Sequence, residues 1–445
     1  MDDQRVAIIG AGPSGITAAK NCLEGGLEPV VFELNDRVGG NWVFDADTGH
    51  SSVYENTHII SSRAWSEYED FPMPADYPEY PGHKQLQAYF ENYTRHFGVL
   101  PHIRFRHRVS HVERQRDGQW LLHYEDDQGH VRRESFPQLM VCNGHHWDPK
   151  YPTYPGEFTG ITMHSHDFKV CDDRFRSQRI LVIGAGNSAC DVAVETARVA
   201  EKVCLSMRRG QWFMPKYIFG QPSDVVAAKT RWAPAWLRKW LTRVLTRLMV
   251  GDYRKMGLPE PDTDPLEQHP TINSDLIEFV RHGKIHIRPA IERYEGQDVV
   301  FRDGTRETFD IVCACTGFKI SFPFFDRSLI DFQDAQKVPL YRKMMHPDYP
   351  NLYFIGLFQP LGCIWPLADH QAKLAVAEIR GEYERPKDLP AAIQYELDHP
   401  HFNFSAEARH SVEVDYHGFR KDLMRELGKV RRRKQAGEPR SAAVV

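Results

Sequence analysis

The sequence predicts an α/β fold with two parallel-sheet domains, and three observations carry that expectation. A strand, a glycine-rich turn, a helix and a second strand open the chain at residues 5–33. The same plan recurs at residues 179–206. Two further buried-strand patterns end in Gly144 and Gly317. Each repeated unit reads as a Rossmann-like dinucleotide-binding domain, for reasons that lie in its individual residues.

In the first unit, Val6–Ile9 is an apolar run of strand length. Gly10, Gly12 and Gly15 follow in the order G-x-G-x-x-G, with Pro13 and Ser14 between the last two. Gly10 permits the tight turn, Gly12 lets a pyrophosphate reach the backbone, and Gly15 lets the helix lie close to the strand. The helix N-terminus offers free N–H groups and a positive dipole end to an anion. A second strand, Pro29–Phe32, ends in Glu33, placed to accept hydrogen bonds from a ribose. The position of this unit at the start of the chain points to FAD. Gly40, Asn41 and Trp42 then suit a loop pressed against a flat ligand, the alternative being an ordinary turn with a core tryptophan.

In the second unit, Gly184 and Gly186 precede a helix pattern that includes Asn187, Ser188, Ala189 and Asp191. Its second strand ends not in an acid but in Ser206-Met207-Arg208-Arg209. An acid there would repel a ribose 2′-phosphate, and arginines bind one. The expected ligand is therefore NADPH, held through Arg208 and Arg209. Two dinucleotide sites in one chain imply hydride transfer from NADPH to a flavin.

The rest of the chain reads in order. Residues 54–84 are too rich in proline for regular structure. His83–His96 is an amphipathic helix pattern, and residues 103–141 alternate like a β-meander. Residues 212–275 interrupt the second domain, with a basic amphipathic helix pattern at Trp232–Val250. A packed insertion helix is the expectation for it, and a helix lying on a membrane surface is the alternative. Helix patterns also cover 270–283 and 369–383, and the basic C-terminal stretch is expected to be solvated.

Composition excludes several classes. With 56 Lys and Arg against 60 Asp and Glu, the net charge of −4 gives no pull toward nucleic acid. No apolar run reaches the ~20 residues that span a bilayer, so no transmembrane segment is expected. The first residues enter a strand directly, so a signal peptide is not expected either. The eight cysteines form no C-x-x-C pair, which excludes the dithiol of disulfide reductases and argues for free thiols in a cytoplasmic protein. No metal-ligand spacing is present.

Phe158-x-Gly160-x-x-x-His164-x-x-x-Phe168 resembles the signature of the flavin-containing monooxygenase family, soluble bacterial type. Related Baeyer–Villiger monooxygenases usually have Trp at the last position. The resemblance extends over Gly10–Gly15, Phe32-Glu33, Gly39–Trp42, Asp70–Pro74, Val141–His146, Gly184–Ser188, Cys315–Phe318 and Phe354–Gly362, which includes Gln359. It implies an FAD domain at 1–155 and 316–445, and an inserted NADP domain at 156–315 with a helical insertion at about 212–275. It implies a monooxygenase that passes one oxygen of O2, through a C4a-hydroperoxyflavin, to a small sulfide or amine. A homodimer would be common for the family. Baeyer–Villiger oxidation of a ketone and an uncoupled NADPH oxidase or reductase are the alternatives.

In this resemblance Gly160, His164 and Phe168 are positioning residues. The chain departs from the family where an Asn is usual three residues before a Lys. Ile60 and Arg63 stand at those positions, and Ser61 and Ser62 are the nearby hydroxyls that could substitute for the amide.

Overall fold

A computed structural model describes residues 4–44, 48–265, 271–332, 337–400 and 412–436. Met1–Asp3 and the residues from Gly437 onward lie outside the described residues, and the basic stretch from Arg420, expected to be solvated, is instead helical to Ala436 with Leu423, Glu426 and Val430 buried. The chain starts with β1 (Arg5–Ile9), α1 (Pro13–Glu24) and β2 (Glu28–Phe32). A long segment with only short helical turns leads to α2 (His83–His96) and β3 (Ile103–Arg104). A meander of β4 (Arg108–Arg114), β5 (Trp120–Glu125) and β6 (Val131–Phe136) precedes β7 (Gln138–Val141).

The second compact unit then begins at Pro149 and runs to Phe318. It contains β8 (Ile161–His164), β9 (Arg179–Ile183), α3 (Asn187–Thr196) and β10 (Lys202–Ser206). The insertion follows, with α4 (Ser223–Lys229) and α5 (Ala235–Val250), and is closed by α6 (Asp275–Arg281). The unit is completed by β11 (Ile285–Arg288), the antiparallel strands β12 (Ile291–Glu295), β13 (Asp298–Phe301) and β14 (Arg306–Thr308), and β15 (Ile311–Ala314). The chain returns to the first unit at Lys319 and adds β16 (Leu352–Phe354), α7 (Trp365–Ile379), α8 (Leu389–Asp398) and α9 (Tyr416–Ala436).

Each unit is built on a five-stranded sheet, in the order β16-β7-β1-β2-β3 in the first and β11-β10-β9-β15-β8 in the second. Every pairing within both sheets is parallel. Parallel strands are covered on both faces, so they read as unbroken apolar runs. Val6, Ala7 and Ile8 are fully buried, as are Ile180, Leu181 and Val182.

Helix α1 lies on its sheet through a contact that only glycine allows. A Cβ on Gly15 would sit 1.8 Å from the Gly10 carbonyl oxygen. Gly10 itself has φ of +103°, a region closed to most side chains. The far side of α1 is pinned to α7 by buried polar contacts. Thr17 Oγ1 and Asn21 Nδ2 both donate to Asp369 Oδ1, at 2.7 and 2.8 Å. Buried Lys20 pairs with Asp70 and Asp369. Burial pulls its ammonium pKa down, but the two carboxylates outweigh that, and the net shift is upward.

The structure differs from expectation at particular elements. The 103–141 stretch is not one meander: β3 and β7 join the large parallel sheet, and only β4–β6 are antiparallel. Residues 149–155 and 316–318 group with the second unit. There Lys150 N–H donates to Gly317 O at 3.0 Å and Tyr294 N–H to Pro155 O at 2.9 Å. α5 starts at Ala235, after Pro234, and is the expected packed insertion helix only in part, with Leu237, Leu241, Val244 and Leu245 half-buried. Trp236 is 70% exposed and Trp240 54%, whereas Thr246 and Val250 are the buried positions.

Two glycine substitutions should therefore behave oppositely. Gly15→Ala drives a methyl into a carbonyl and should cost about 2 kcal/mol, the overpacking scale. Gly186→Ala meets no atom within 4 Å and should leave the thermal denaturation midpoint unchanged. Calorimetry of the two variants checks both.

Candidate functional site

In the first unit the glycine turn sits at the carboxyl ends of three strands. Gly10 N–H donates to Phe32 O at 2.8 Å, and Cys142 N–H to Ile9 O at 2.9 Å. Ligands bind at this end of an open parallel sheet. The helix begins without a side-chain cap: Gly12 is the N-cap and Pro13, which has no N–H, the first helical residue. Gly15 N–H turns back onto Gly12 O at 2.9 Å, and no side chain caps the positive end of the helix, which is left to face an anion. Gly12 faces Gly40 across a gap bare of side chains, since a Cβ on Gly40 would lie 2.9 Å from Gly12 Cα. Ser14 borders the same place, and its Oγ would be 2.1 Å from a Cβ on Gly356. These are the features a pyrophosphate requires, so the residues fit FAD.

Glu33 is buried at the end of β2. Its Oε2 accepts from Ala11 N at 2.5 Å and its Oε1 from Asn35 N at 2.7 Å. Burial pushes its pKa up to about 6 against the pull of those N–H groups. Asn41 Oδ1 accepts from the Ser52 amide and hydroxyl, both at 2.8 Å, which fixes the Gly40–Trp42 turn. The Trp42 ring meets Trp365 edge-on at 5.9 Å.

Residues 60–63 lie in the same unit. Ile60 is half-buried and Ser61 and Ser62 are buried. Ser61 Oγ is 2.8 Å from Ser66 Oγ, and the Ser66 carbonyl accepts from the Trp365 indole. Arg63 Nη1 donates to the carbonyls of Pro74, Ala75 and Tyr77, at 3.1, 2.8 and 2.8 Å. The arginine thus holds the proline-rich loop in place. Gln359 Oε1 lies 3.4 Å from His145 Nε2, and burial lowers the His145 pKa to about 4, so the ring is neutral.

The second unit repeats the construction. Gly184 N–H donates to Ser206 O at 3.1 Å and Cys315 N–H to Ile183 O at 2.8 Å. Gly186 caps α3 without a side-chain hydrogen bond, and the space beside its Cα is open. A dinucleotide phosphate fits there too. Ser188 stands in the first turn of α3, and Arg208 and Arg209 are exposed just past the end of β10. Asn187 and Asp191 are engaged elsewhere. Asn187 Oδ1 accepts from Ile272 N at 2.8 Å, and Asp191 Oδ1 from Asn273 Nδ2 at 2.8 Å.

The signature residues are packed in the second unit. Gly160 leaves room for the Asp310 carbonyl, 2.6 Å from where its Cβ would be. His164 is fully buried between the rings of Tyr151 and Phe318, at 5.4 and 5.3 Å. Phe168 packs edge-on against Phe175 at 5.4 Å.

Sequence reasoning did not bring three contributors into the site. Gly356 abuts the first turn of α1, and its N–H is held by Gln371 Oε1 at 2.9 Å. Trp365 braces the 60–66 segment. Thr271 Oγ1 donates to the Ala185 carbonyl at 2.8 Å, beside the second glycine turn. The positive-φ glycine ending the Phe354-Ile355-Gly356 run was the signal available for the first.

Two turns of one build, the first bordered by a buried acid and the second by arginines, define the class of flavoproteins that draw reducing equivalents from a nicotinamide dinucleotide. The family model described as flavin-binding monooxygenase-like matches residues 3–431. The chain belongs to that family: it is a flavin-dependent monooxygenase that uses FAD, NADPH and O2. Flavin-containing monooxygenase 5 of Rattus norvegicus is 34% identical over 447 residues, 94% of this chain and 81% of the relative. Flavin-containing monooxygenase 1 of Homo sapiens is 36% identical over 406 residues, 86% of this chain and 75% of the relative.

Two solved structures share the fold with two dinucleotide domains. The S-allyl-L-cysteine S-oxygenase of Allium sativum matches with TM-score 0.70 and 22% identity, covering 99% of this chain and 95% of its own. The NADP+-bound cyclohexanone monooxygenase of Rhodococcus sp. Phi1 matches with TM-score 0.71 and 16% identity, covering 95% and 97%.

Two measurements follow from this geometry. Replacing Arg208 and Arg209 together with Gln should lower the NADPH-over-NADH preference at least tenfold, as read from flavin reduction rates, with NADH rates little changed. Glu33 gives a pH dependence. Its folded-state value of about 6 exceeds the ordinary 4.5. The folded protein therefore holds the proton more tightly, and this contribution to stability is full below 4.5 and lost as pH rises through about 6. The amount is about 2 kcal/mol. Urea denaturation of the FAD-stripped protein and of its Glu33→Gln variant should diverge across that window.

Proposed function

We propose that the enzyme transfers one oxygen atom of O2 to soft nucleophiles, namely sulfide sulfur and amine nitrogen. The observation that carries this reading is sustained similarity to relatives named for that chemistry. Dimethylaniline monooxygenase [N-oxide-forming] 2 of Rattus norvegicus is 34% identical over 86% of this chain. Phe168 at the end of the signature, where ketone-oxidising relatives usually carry Trp, supports the same choice.

When bound, FAD supplies the activation of O2 and NADPH supplies the hydride. The chain's part is binding, orientation and exclusion of water. In this reading the first unit is the FAD domain. The first turn of α1 holds the pyrophosphate and Glu33 a ribose hydroxyl. Gly40, Asn41 and Trp42 line the flavin side, and His145 with Gln359 supplies neutral polar atoms. The second unit is the NADP domain, with Gly184, Gly186 and Ser188 at the phosphates and Arg208 and Arg209 at the 2′-phosphate. Asn187 and Asp191 act from behind by holding residues 272 and 273. Arg63 shapes the proline-rich loop.

Ile60 gives support to a second reading, an NADPH oxidase. Its side chain is apolar where the family usually places an amide, so a hydrogen bond that would orient the oxidised nucleotide is missing. Ser61 is committed to Ser66.

Turnover with 18O2, NADPH and, in parallel, methyl phenyl sulfide, dimethylaniline and cyclohexanone tests the proposal. Sulfoxide and N-oxide carrying one labelled oxygen per NADPH support it. Lactone as the sole product establishes ketone oxidation instead, and peroxide equal to NADPH with all three establishes the oxidase. Ile60→Asn should cut the peroxide formed per NADPH at least twofold, and an unchanged yield removes Ile60 from the account.

A further inference from the structure

A turn far in sequence from the first glycine turn holds a backbone conformation that its residues do not favour. Tyr341–Met344 closes on itself, with Met344 N–H donating to Tyr341 O at 3.0 Å. Its two central residues are Arg342 and Lys343, with φ of +51° and +56°. Positive φ at both centres is the conformation that Asn and Gly usually supply, and it is unfavourable for long side chains. It persists only where the surroundings over-determine it, and such residues gather where a site needs fixed placement.

The surroundings here are three carboxylates. Arg342 is buried, and its guanidinium pairs with Glu396 of α8 at 2.8 Å and with Asp422 and Glu426 of α9 at 3.1 and 3.0 Å. Its backbone N–H donates to Glu396 Oε2 at 3.0 Å. Glu426 is itself held by Tyr383 Oη and Lys429 Nζ, at 3.0 and 2.5 Å. The side chain and the N–H of Arg342 are thus both engaged by two helices, and its carbonyl oxygen remains.

That carbonyl accepts from Gln371 Nε2 at 2.9 Å, and Gln371 Oε1 accepts from Gly356 N–H at 2.9 Å. Gln371 belongs to α7 and is fully buried. One partner can only accept and the other only donate, so together they fix which way the amide points. Gly356, at φ of +83°, lies against Ser14 in the first turn of α1. Neither backbone group has a place in a helix or a sheet ladder, so the spacing between them is set by the amide. A single side chain therefore bridges the unfavourable turn and the wall of the first glycine slot.

We propose that Gln371 is a positioning residue for FAD. Held on the Arg342 carbonyl, it keeps Gly356 against Ser14 and so sets the width of the slot that takes the pyrophosphate. Arg342 acts one step further back, as the anchor that α8 and α9 hold. The inference rests on the reading of the first unit as the FAD domain, and it does not depend on which nucleophile is oxidised.

The test is FAD binding to the stripped full-length protein, followed by quenching of flavin fluorescence at about pH 6 and about pH 9. Gln371→Met removes both hydrogen bonds at similar volume and should weaken binding at least tenfold at both pH values. Gln371→Glu separates the two roles of the amide. Protonated, it accepts from Gly356 N–H and donates to the Arg342 carbonyl; ionised, it can no longer donate. Burial raises the pKa of such a carboxyl. This variant should therefore bind FAD within threefold of the wild type at the lower pH and at least fivefold more weakly than the wild type at the higher. A residue that only fills space gives no such profile. A cooperative thermal transition of each stripped variant establishes that it is folded, and its loss overturns the proposal, since Gln371 then holds the fold and not the cofactor. Gly12→Val, whose Cβ would stand 3.5 Å from Gly40 Cα, puts a side chain into the slot itself. Unchanged FAD affinity in that variant overturns the FAD reading of the first unit, and this inference with it. Loss of binding there, with Gln371→Met within twofold of the wild type or Gln371→Glu without a pH profile of its own, overturns the positioning role alone.

Discussion

Helix α1 can lie where it does only because residue 15 has no side chain. The Gly10 carbonyl occupies the space a methyl would need, and the rest of the first site follows from that contact. It sets the height of the helix N-terminus above the ends of β1, β2 and β7, and thus where the positive end of the helix points. It brings Gly12 opposite Gly40 and Ser14 against Gly356, so segments far apart in the chain close around one slot. The second turn is less demanding. Ala189 stands at the matching position, fully buried, and its methyl is accommodated.

Keeping the helix there takes polar as well as apolar contacts. Asp369 collects donors from Thr17 and Asn21 along one side of α1 and pairs with Lys20 and Lys373. A buried carboxylate is costly unless its partners satisfy it. Here burial raises the Asp369 pKa, but Lys373 and Lys20 lower it more, and the net shift is downward. The proline-rich loop is held with still less regular structure. One guanidinium, that of Arg63, collects three carbonyls that no strand or helix would otherwise use.

What could be read beforehand follows from how local each signal is. The two turn units were legible because strand, glycines, helix and second strand are contiguous and each follows from its own residues. The end of β2 at Glu33 and the end of β10 before Arg208 needed nothing from elsewhere. The 103–141 stretch was only half legible. Alternation reports that a residue faces in or out, but not which sheet it joins, and β3 and β7 pair with strands distant in sequence. Gly356 and Trp365 reach the site across some three hundred residues, beyond any local pattern. The amphipathic order of α5 was visible too. A face is a property of the helix, but what covers it belongs to the surroundings, and packing held for Leu237, Leu241, Val244 and Leu245 but not for Trp236 and Trp240.

The second glycine turn carries one more consequence. Asn187 and Asp191 of α3 hold residues 272 and 273, and Thr271 holds the Ala185 carbonyl. The segment they grip is the return limb of the insertion that bears α5. The nucleotide turn and residues 271–273 are therefore joined by three hydrogen bonds. The shape of the second nucleotide turn and the course of the 271–273 limb are thus fixed together.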